Sequence, residues 1–216
     1  MSVLAPALAV IAKAPVAGRV KTRLCPPCTP QQAAALAAAA LSDTLAAVAA
    51  TPTHRRVLVL EGERGEWVPE GFEVIPQRGD GLAERLADAF ATIGEPTLLV
   101  GMDTPQVTAQ ILIEATALMR IEGVDAVQGD ADDGGYWAIG LQRPRPAAFA
   151  DVPMSVDHTG AAQRARLAEL GLTVADLPVL RDVDTIDDAV AVAAQAPASR
   201  FATALRALGD LAARAA

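Results

Sequence analysis

Lysine is almost absent from this chain: Lys13 and Lys21 stand alone among 18 basic residues, and arginine supplies the rest. Aromatic residues are equally scarce at 3%, with Tyr136 the single tyrosine. Two cysteines, Cys25 and Cys28, are too few for the disulfide framework of a small secreted domain. A zinc site needs four ligands, and His54 and His158 lie far from the cysteines in sequence. No apolar run in the sequence approaches the roughly 18 residues of a membrane helix, so no membrane partner is expected. The opening residues 1–14 carry an apolar stretch without a basic leader and run directly into Lys13-Ala14-Pro15, which reads as a strand and not a signal peptide; the expected location is cytoplasmic. Positive charge is also in deficit, with a formal net charge of -8. That argues against a protein that coats a polyanion, so nucleic acid is not an expected partner, while a small anionic ligand in a local basic cluster stays open.

What the chain does have is alternating structure. Residues 7–12, 55–60, 72–75 and 97–100 are short apolar runs, with amphipathic or Ala/Leu-rich stretches at 31–50, 82–90 and 107–120 between them. Thr29-Pro30 marks the start of the first helix, as an N-cap followed by proline in the first turn. Strands are expected again at 125–128 and 136–141 with no helix between them, then a helix at 159–170, a strand near 177–180 and helices from 186 onward. Apolar strands alternating with helices predict a three-layer α/β/α domain with a mostly parallel sheet; the break after Gln128 predicts one or more antiparallel strands in its second half. The 216 residues are expected to form one domain, 1–216.

Four segments carry candidate chemistry. Residues 11–24 follow the first strand and place Lys13, Arg19, Lys21 and Arg23, with the Thr22 hydroxyl and Gly18, on one loop. Ligands of open α/β sheets sit beyond the carboxyl ends of the strands, and four cations there suit a di- or triphosphate. The Gly-Lys-Ser/Thr order of a Walker loop is missing. Gly101-Met-Asp-Thr-Pro105 puts Asp103 at the tip of a strand, where a carboxylate can ligate a hard cation such as Mg²⁺ or cap the next helix. Asp182 and Asp184 alternate along an extended segment and so share one side of it; such a pair repels unless a cation intervenes, and Asp184 or Thr185 could cap the helix that follows. Asp133-Gly134-Gly135-Tyr136-Trp137 joins a flexible turn to two of the rare aromatics. The loop from Gln77 to Arg85, with Gly79, Gly81 and Glu84, looks like a ligand loop but lacks the third glycine of a dinucleotide fingerprint. Cys25-Pro-Pro-Cys28 has redox spacing, with packing the favoured role.

In this order, Ala-Lys-Ala-Pro-Val-Ala-Gly-Arg-Val-Lys-Thr-Arg-Leu, Gly-Met-Asp-Thr-Pro, Asp-Gly-Gly-Tyr-Trp and Asp-Val-Asp-Thr resemble the bacterial rSAM/selenodomain-associated transferase 1 family over nearly the whole chain. That family, also called glycosyltransferase-A-like, is itself similar to the 2-phospholactate guanylyltransferases and more distantly to molybdenum-cofactor guanylyltransferases. The resemblance implies a GT-A (nucleotide-diphospho-sugar transferase) fold with a divalent metal, Mg²⁺ or Mn²⁺, and a nucleotide substrate. It implies that Lys21 and Arg23 hold the triphosphate with Lys13 near the α-phosphate, and that Asp103, Asp182 and Asp184 hold the metal. It further implies that Gln77 to Glu84, Gly81 included, meet the base or ribose, and that Asp133, Gly134, Gly135 and Tyr136 meet the acceptor. Met102 departs from the small residue usual in that family.

Three functions follow as expectations. The first is a nucleotidyltransferase moving a nucleoside monophosphate from a nucleoside triphosphate to a small phosphorylated or phosphonate acceptor, with pyrophosphate leaving and Lys13, Lys21 and Asp103 as catalytic groups. The second is a glycosyltransferase using a nucleotide-diphosphate sugar; against it, Asp103-Thr104-Pro105 lacks the second carboxylate of an Asp-x-Asp motif. The third is a non-catalytic nucleotide-binding protein. Whether two copies pair as a homodimer, and which base is used, the sequence leaves open.

Overall fold

In the computed structural model, residues 5–209 are described. Among these residues seven strands form one sheet: β1 Ala7–Lys13, β2 Arg56–Glu61, β3 Glu73–Pro76, β4 Thr97–Val100, β5 Ala126–Asp130, β6 Tyr136–Leu141 and β7 Val174–Asp176. Their spatial order is β3-β2-β1-β4-β6-β5-β7. All neighbours run parallel except β6, which is antiparallel to both β4 and β5. This is the mixed, mostly parallel sheet expected from the missing helix between β5 and β6. The sheet's two faces bury separate clusters. Leu8, Val10, Leu58, Leu98 and Trp137 point to one side, and Ala9, Val57, Val59, Leu99 and Ile139 to the other. Strands buried on both faces read as continuous apolar runs, which is why they are plain in the sequence.

Among the described residues there are six helices, α1 Pro30–Ala50, α2 Leu82–Ile93, α3 Ala109–Leu118, α4 Thr159–Glu169, α5 Ile186–Gln195 and α6 Arg200–Ala207, of which α5 and α6 pack against α1. The capping signal of α1 is complete. The Thr29 hydroxyl accepts from the Gln32 amide, and the Gln32 side chain accepts from the Thr29 amide. One expectation needs correcting here: α1 has 21 residues and, by length and composition alone, is apolar enough to cross a membrane. Alanine hid this, because its short side chains do not read as a hydrophobic run. The structure uses the helix as a core element, burying Leu36, Leu41, Leu45 and Val48.

A second correction concerns the last strand. It lies at Val174–Asp176, beside β5, and not at 177–180; the later segment contributes a single bridge, Leu180 to Ala131. Leu177 is apolar because it enters the core after the strand has ended. Helix continues past residue 186 as α5 and α6, and the final stretch, 210–216, lies outside the described residues.

Candidate active site

The parallel strands β1, β2 and β4 end along one edge of the sheet, and the loops that follow β1 and β4 carry the first part of the site. β1 ends at Lys13 and continues into the loop that carries Arg19, Lys21, Thr22 and Arg23. β4 ends at Val100, and Asp103 follows in the turn before α3. From the far end of the chain, residues 180–184 pass directly beside this turn. The Val183 amide donates to the Asp103 carbonyl at 3.0 Å, and the Gln106 side chain donates to the Arg181 carbonyl at 2.6 Å. Sequence separations of about 80 and 160 residues collapse to contact distance here.

Lys21 is the centre of this junction. Its backbone is left-handed (φ 48°, ψ 38°), a strained state for a residue with a Cβ. Its ammonium lies 2.9 Å from Asp103 Oδ1 and 3.3 Å from Asp184 Oδ1, and it also donates to the Val183 carbonyl. The approach to Asp103 has ion-pair distance without hydrogen-bond alignment, since Asp103 Oδ1 has no hydrogen-bond partner. Burial works against the ammonium, but the Asp103 and Asp184 carboxylates outweigh it and hold the Lys21 pKa above the ordinary lysine value. Arg23 pairs with the other oxygen of Asp184 at 2.7 Å from the solvent side.

Two cavities meet at this point. A cationic bay of about 250 Å³ is lined by Lys13, Arg19, Lys21, Thr22 and Arg23 with Asp103 and Asp184. A larger cleft of about 470 Å³ runs over the sheet edge, with Gln77, Asp80, Arg85, Tyr136, Ser155 and Asp182 among its polar lining. Lys13, Met102 and Asp103 line both. Met102 is buried, and its sulfur accepts the Lys13 amide at 3.2 Å, so the residue that departs from the resembled family stands at the junction.

Asp182 faces the cleft with one carboxylate oxygen, Oδ1, buried and unpartnered. Burial raises its pKa to about 7, with the Asp103 and Asp133 charges adding to the shift and Lys21 opposing it. The three-aspartate metal set expected from the resemblance is not assembled. Among the described residues, no three His, Cys, Asp or Glu side chains converge as a metal-binding group. The reason is steric and electrostatic: the Lys21 ammonium sits between Asp103 and Asp184. Asp182 Oδ1 remains a buried hard-oxygen donor without a partner, and Asp103 Oδ1, ion-paired to Lys21 at 2.9 Å but without an aligned hydrogen bond, stands beside it; two carboxylates suit Mg²⁺ or Mn²⁺, which commonly take one or two and fill the remaining positions with phosphate and water.

The remaining expected residues divide. Gln77 lines the cleft, but its amide is committed to the carbonyls of Ala12 and Val59, so it ties β1 to β2. Gly81 is the N-cap residue of α2, and Glu84 turns back to accept the Asp80 amide at 2.7 Å; neither lines the cleft. The cleft instead takes Asp80 and Arg85 from this loop and helix. Arg85 is paired with Glu61 at the end of β2, and Glu61 also faces Lys13 at 3.6 Å. Burial disfavours the Glu61 carboxylate, yet the Arg85 and Lys13 charges hold its pKa below the ordinary value. Both were readable as ends of elements: Glu61 closes an apolar run and Arg85 stands in the first turn of a helix.

Gly18 is a left-handed turn residue (φ 77°) beside the bay, outside its lining. Asp133 does not line the cleft; it accepts the Gly135 amide at 2.8 Å and acts on Asp182 through its charge. Gly134 is required by close approach, because a Cβ there would lie 1.8 Å from the Asp157 carbonyl oxygen. Tyr136 contributes its ring to the cleft, while its hydroxyl is turned away to Gln163 at 3.3 Å and burial pushes its pKa far above the usual phenol value. His158, beside Asp157, is exposed and outside the cleft. Cys25 and Cys28 are free thiols; Cys28 packs among α1, α5 and α6, and burial, with Cys25 adding, pushes its thiol pKa up, the opposite of a reactive thiolate.

Residues 33–156 match a family described as uncharacterized proteins conserved in bacteria (DUF2064). The chain belongs to that family. The match stops short of both the Lys13–Arg23 loop and the Asp182–Asp184 segment, so it covers the scaffold more than the charged junction. Among solved structures, a Desulfovibrio desulfuricans G20 protein described as a candidate nucleotide-diphospho-sugar transferase is 24% identical, with TM-score 0.84 over 95% of this chain and 96% of that one. CMP:2-keto-3-deoxy-manno-octonic acid synthetase in complex with CTP is 12% identical, with TM-score 0.58 over 88% and 97%. Rv0371C of Mycobacterium tuberculosis H37Rv, solved with manganese, is 20% identical, with TM-score 0.52 over 88% and 98%. No curated protein matches the chain. At these identities the likeness is one of fold, and it bears out the GT-A-like architecture of a bacterial family expected from the motifs.

Proposed function

We propose that this DUF2064 protein is a metal-dependent nucleotidyltransferase, built as one GT-A-like domain, that moves a nucleoside monophosphate from a nucleoside triphosphate to a small-molecule acceptor and releases pyrophosphate. The observation that carries this reading is the juxtaposition of the two cavities: a bay of cations sized for a polyphosphate opens at Lys13 and Asp103 onto a cleft large enough for a nucleoside and an acceptor. The CTP complex of a structural neighbour and the manganese complex of another support a nucleotide and a divalent metal as the ligand classes.

In this reading the acceptor oxygen attacks the α-phosphorus, a new P–O bond forms, and the bond to pyrophosphate breaks. An acceptor phosphate is already ionised near neutral pH and needs no base. Lys21 and Arg23 take up the charge that accumulates on the departing pyrophosphate, and Lys13, at the junction, meets the α-phosphate. Arg19 and Thr22 supply further contacts from the same loop. Asp103 and Asp182 would hold the metal, which when bound neutralises phosphate charge and aligns the reacting groups. Tyr136, which closes the 133–136 turn and lines the cleft, bounds the acceptor end.

A nucleotide-sugar transferase is the second reading, favoured by the description of the Desulfovibrio structure. Two ligand panels separate them. With Mg²⁺ present, nucleoside triphosphates are expected to raise the melting temperature by several degrees, as ligands of the native state do. Acceptor screening is then expected to yield pyrophosphate. Selective stabilisation by nucleotide sugars, with nucleoside diphosphate as product, replaces the first reading with the second.

A further inference from the structure

Asp184 was expected beside Asp103 and Asp182 as a metal ligand, yet its two oxygens are both occupied. Oδ1 faces the Lys21 ammonium at 3.3 Å and Oδ2 faces Arg23 Nη1 at 2.7 Å. Asp103 Oδ1 faces the same ammonium at 2.9 Å but meets no second cation, and Asp182 Oδ1 has no partner at all. A divalent ion approaching Asp184 would have to displace two resident cations. We propose that Asp184 is a positioning residue that seats Lys21 and Arg23 for a polyphosphate; this rests on the nucleotide reading of the site and deepens it.

The seat is rigid on both sides. Val183 is tied to the Asp103 carbonyl through its amide and accepts from Lys21 through its own carbonyl. Immediately after Asp184, the Thr185 hydroxyl and the Asp188 carboxylate form a reciprocal capping box that starts α5. On the lysine side, the backbone at residue 21 is left-handed, a conformation that residues with a Cβ rarely adopt. The side chain is only 8% exposed, so its ammonium is held by fixed acceptors and not by water. Arg23 is 72% exposed, lines the bay and spends Nη1 on Asp184. The arrangement aims two cations at one small volume and keeps a long, flexible side chain from wandering, the kind of preorganisation that a charge-developing reaction exploits.

The near absence of lysine makes the seat measurable. Lys21 and Lys13 are the only side-chain amines, and Lys13 is 51% exposed, so it serves as an internal standard. Limiting acetylation with acetic anhydride, resolved by peptide mass spectrometry, is expected to modify Lys21 about tenfold more slowly than Lys13, because a buried, carboxylate-held ammonium is a poor nucleophile. Asp184→Asn is expected to speed Lys21 modification about fivefold with Lys13 unchanged, and Asp184→Glu is expected to restore slow modification. Asp184→Ser gives the same readout should the asparagine variant fail to fold. Mn²⁺ affinity, followed by electron paramagnetic resonance, is expected to stay within about threefold in Asp184→Asn but to fall at least tenfold in Asp182→Asn, the usual loss for a true ligand or its close partner. Unchanged Lys21 reactivity in both Asp184→Asn and Asp184→Ser overturns the seat. So does a loss of Mn²⁺ affinity in Asp184→Asn as large as in Asp182→Asn. A wild-type protein that binds no nucleotide defeats the transferase reading, whereas the labelling ratio still decides whether Asp184 holds Lys21.

Discussion

A Lys21→Met variant is expected to release pyrophosphate about a thousandfold more slowly than the wild type, the range seen when a single charge-stabilising donor is removed from a transition state. Methionine retains most of the aliphatic volume and deletes only the ammonium. The same change leaves Asp103 and Asp184 facing each other with no cation between them. Removing one member of a fully buried ion pair costs about 3–5 kcal/mol. Here the carboxylates are 37% and 33% exposed, so solvent screens them and about 1–2 kcal/mol is the expected loss of stability. Urea denaturation separates the two effects, because a loss of that size leaves the variant folded at assay temperature. Turnover within about threefold of wild type removes Lys21 from the mechanism.

Asp182→Asn is expected to do the reverse to stability and equal harm to activity. The folded protein holds this carboxyl with a pKa of about 7, against 3.8 for an unperturbed aspartate. Between pH 4 and pH 7 the native chain therefore carries a proton that the unfolded chain has released, and stability falls as the pH rises through that window. At 1.36 kcal/mol per unit the penalty above pH 7 reaches about 4 kcal/mol; partial access of water to the side chain reduces it to about 2–3 kcal/mol. In EDTA at about pH 8, the asparagine variant should be more stable by that amount, and its stability should vary less with pH over the same window. Mn²⁺ should stabilise the wild type and have little effect on the variant. A variant less stable than wild type at pH 8 contradicts the assignment of a strained, metal-ready carboxylate.

Most of the fold was legible because its signals are local. β4 and β6 were located from apolar runs bounded by turn residues, and the antiparallel placement of β6 followed from too few residues between β5 and β6 for a helix. β7 lies before the expected 177–180 because at three residues it is too short to show a period, and Leu177 beyond it carries the stronger apolar signal. α1 is legible at 31–50 as an Ala/Leu-rich helix, while its alanines conceal that the whole length is apolar.

In the site, charge type was readable and pairing was not. The sequence placed cations on one loop and carboxylates at strand ends, since strand ends face the ligand edge of such a sheet. It could not show that Lys21 would reach across about 160 positions to Asp184 and stand where a metal was expected. Nor could spacing reveal that Glu84 folds back onto Asp80 while its neighbour Arg85 enters the cleft, because which side chain caps a turn depends on geometry that adjacent residues compete for.

The proposed reaction needs the loop from β1, Asp103 after β4 and Asp182 to surround one metal-bound polyphosphate. Crystals grown with Mn²⁺ and a non-hydrolysable nucleoside triphosphate test it most directly, with the anomalous signal locating the ion. A manganese peak in contact with Asp103 and Asp182 is expected, with phosphates against Lys21 and Arg23. A triphosphate bound elsewhere, or an ion held by residues outside this junction, contradicts it.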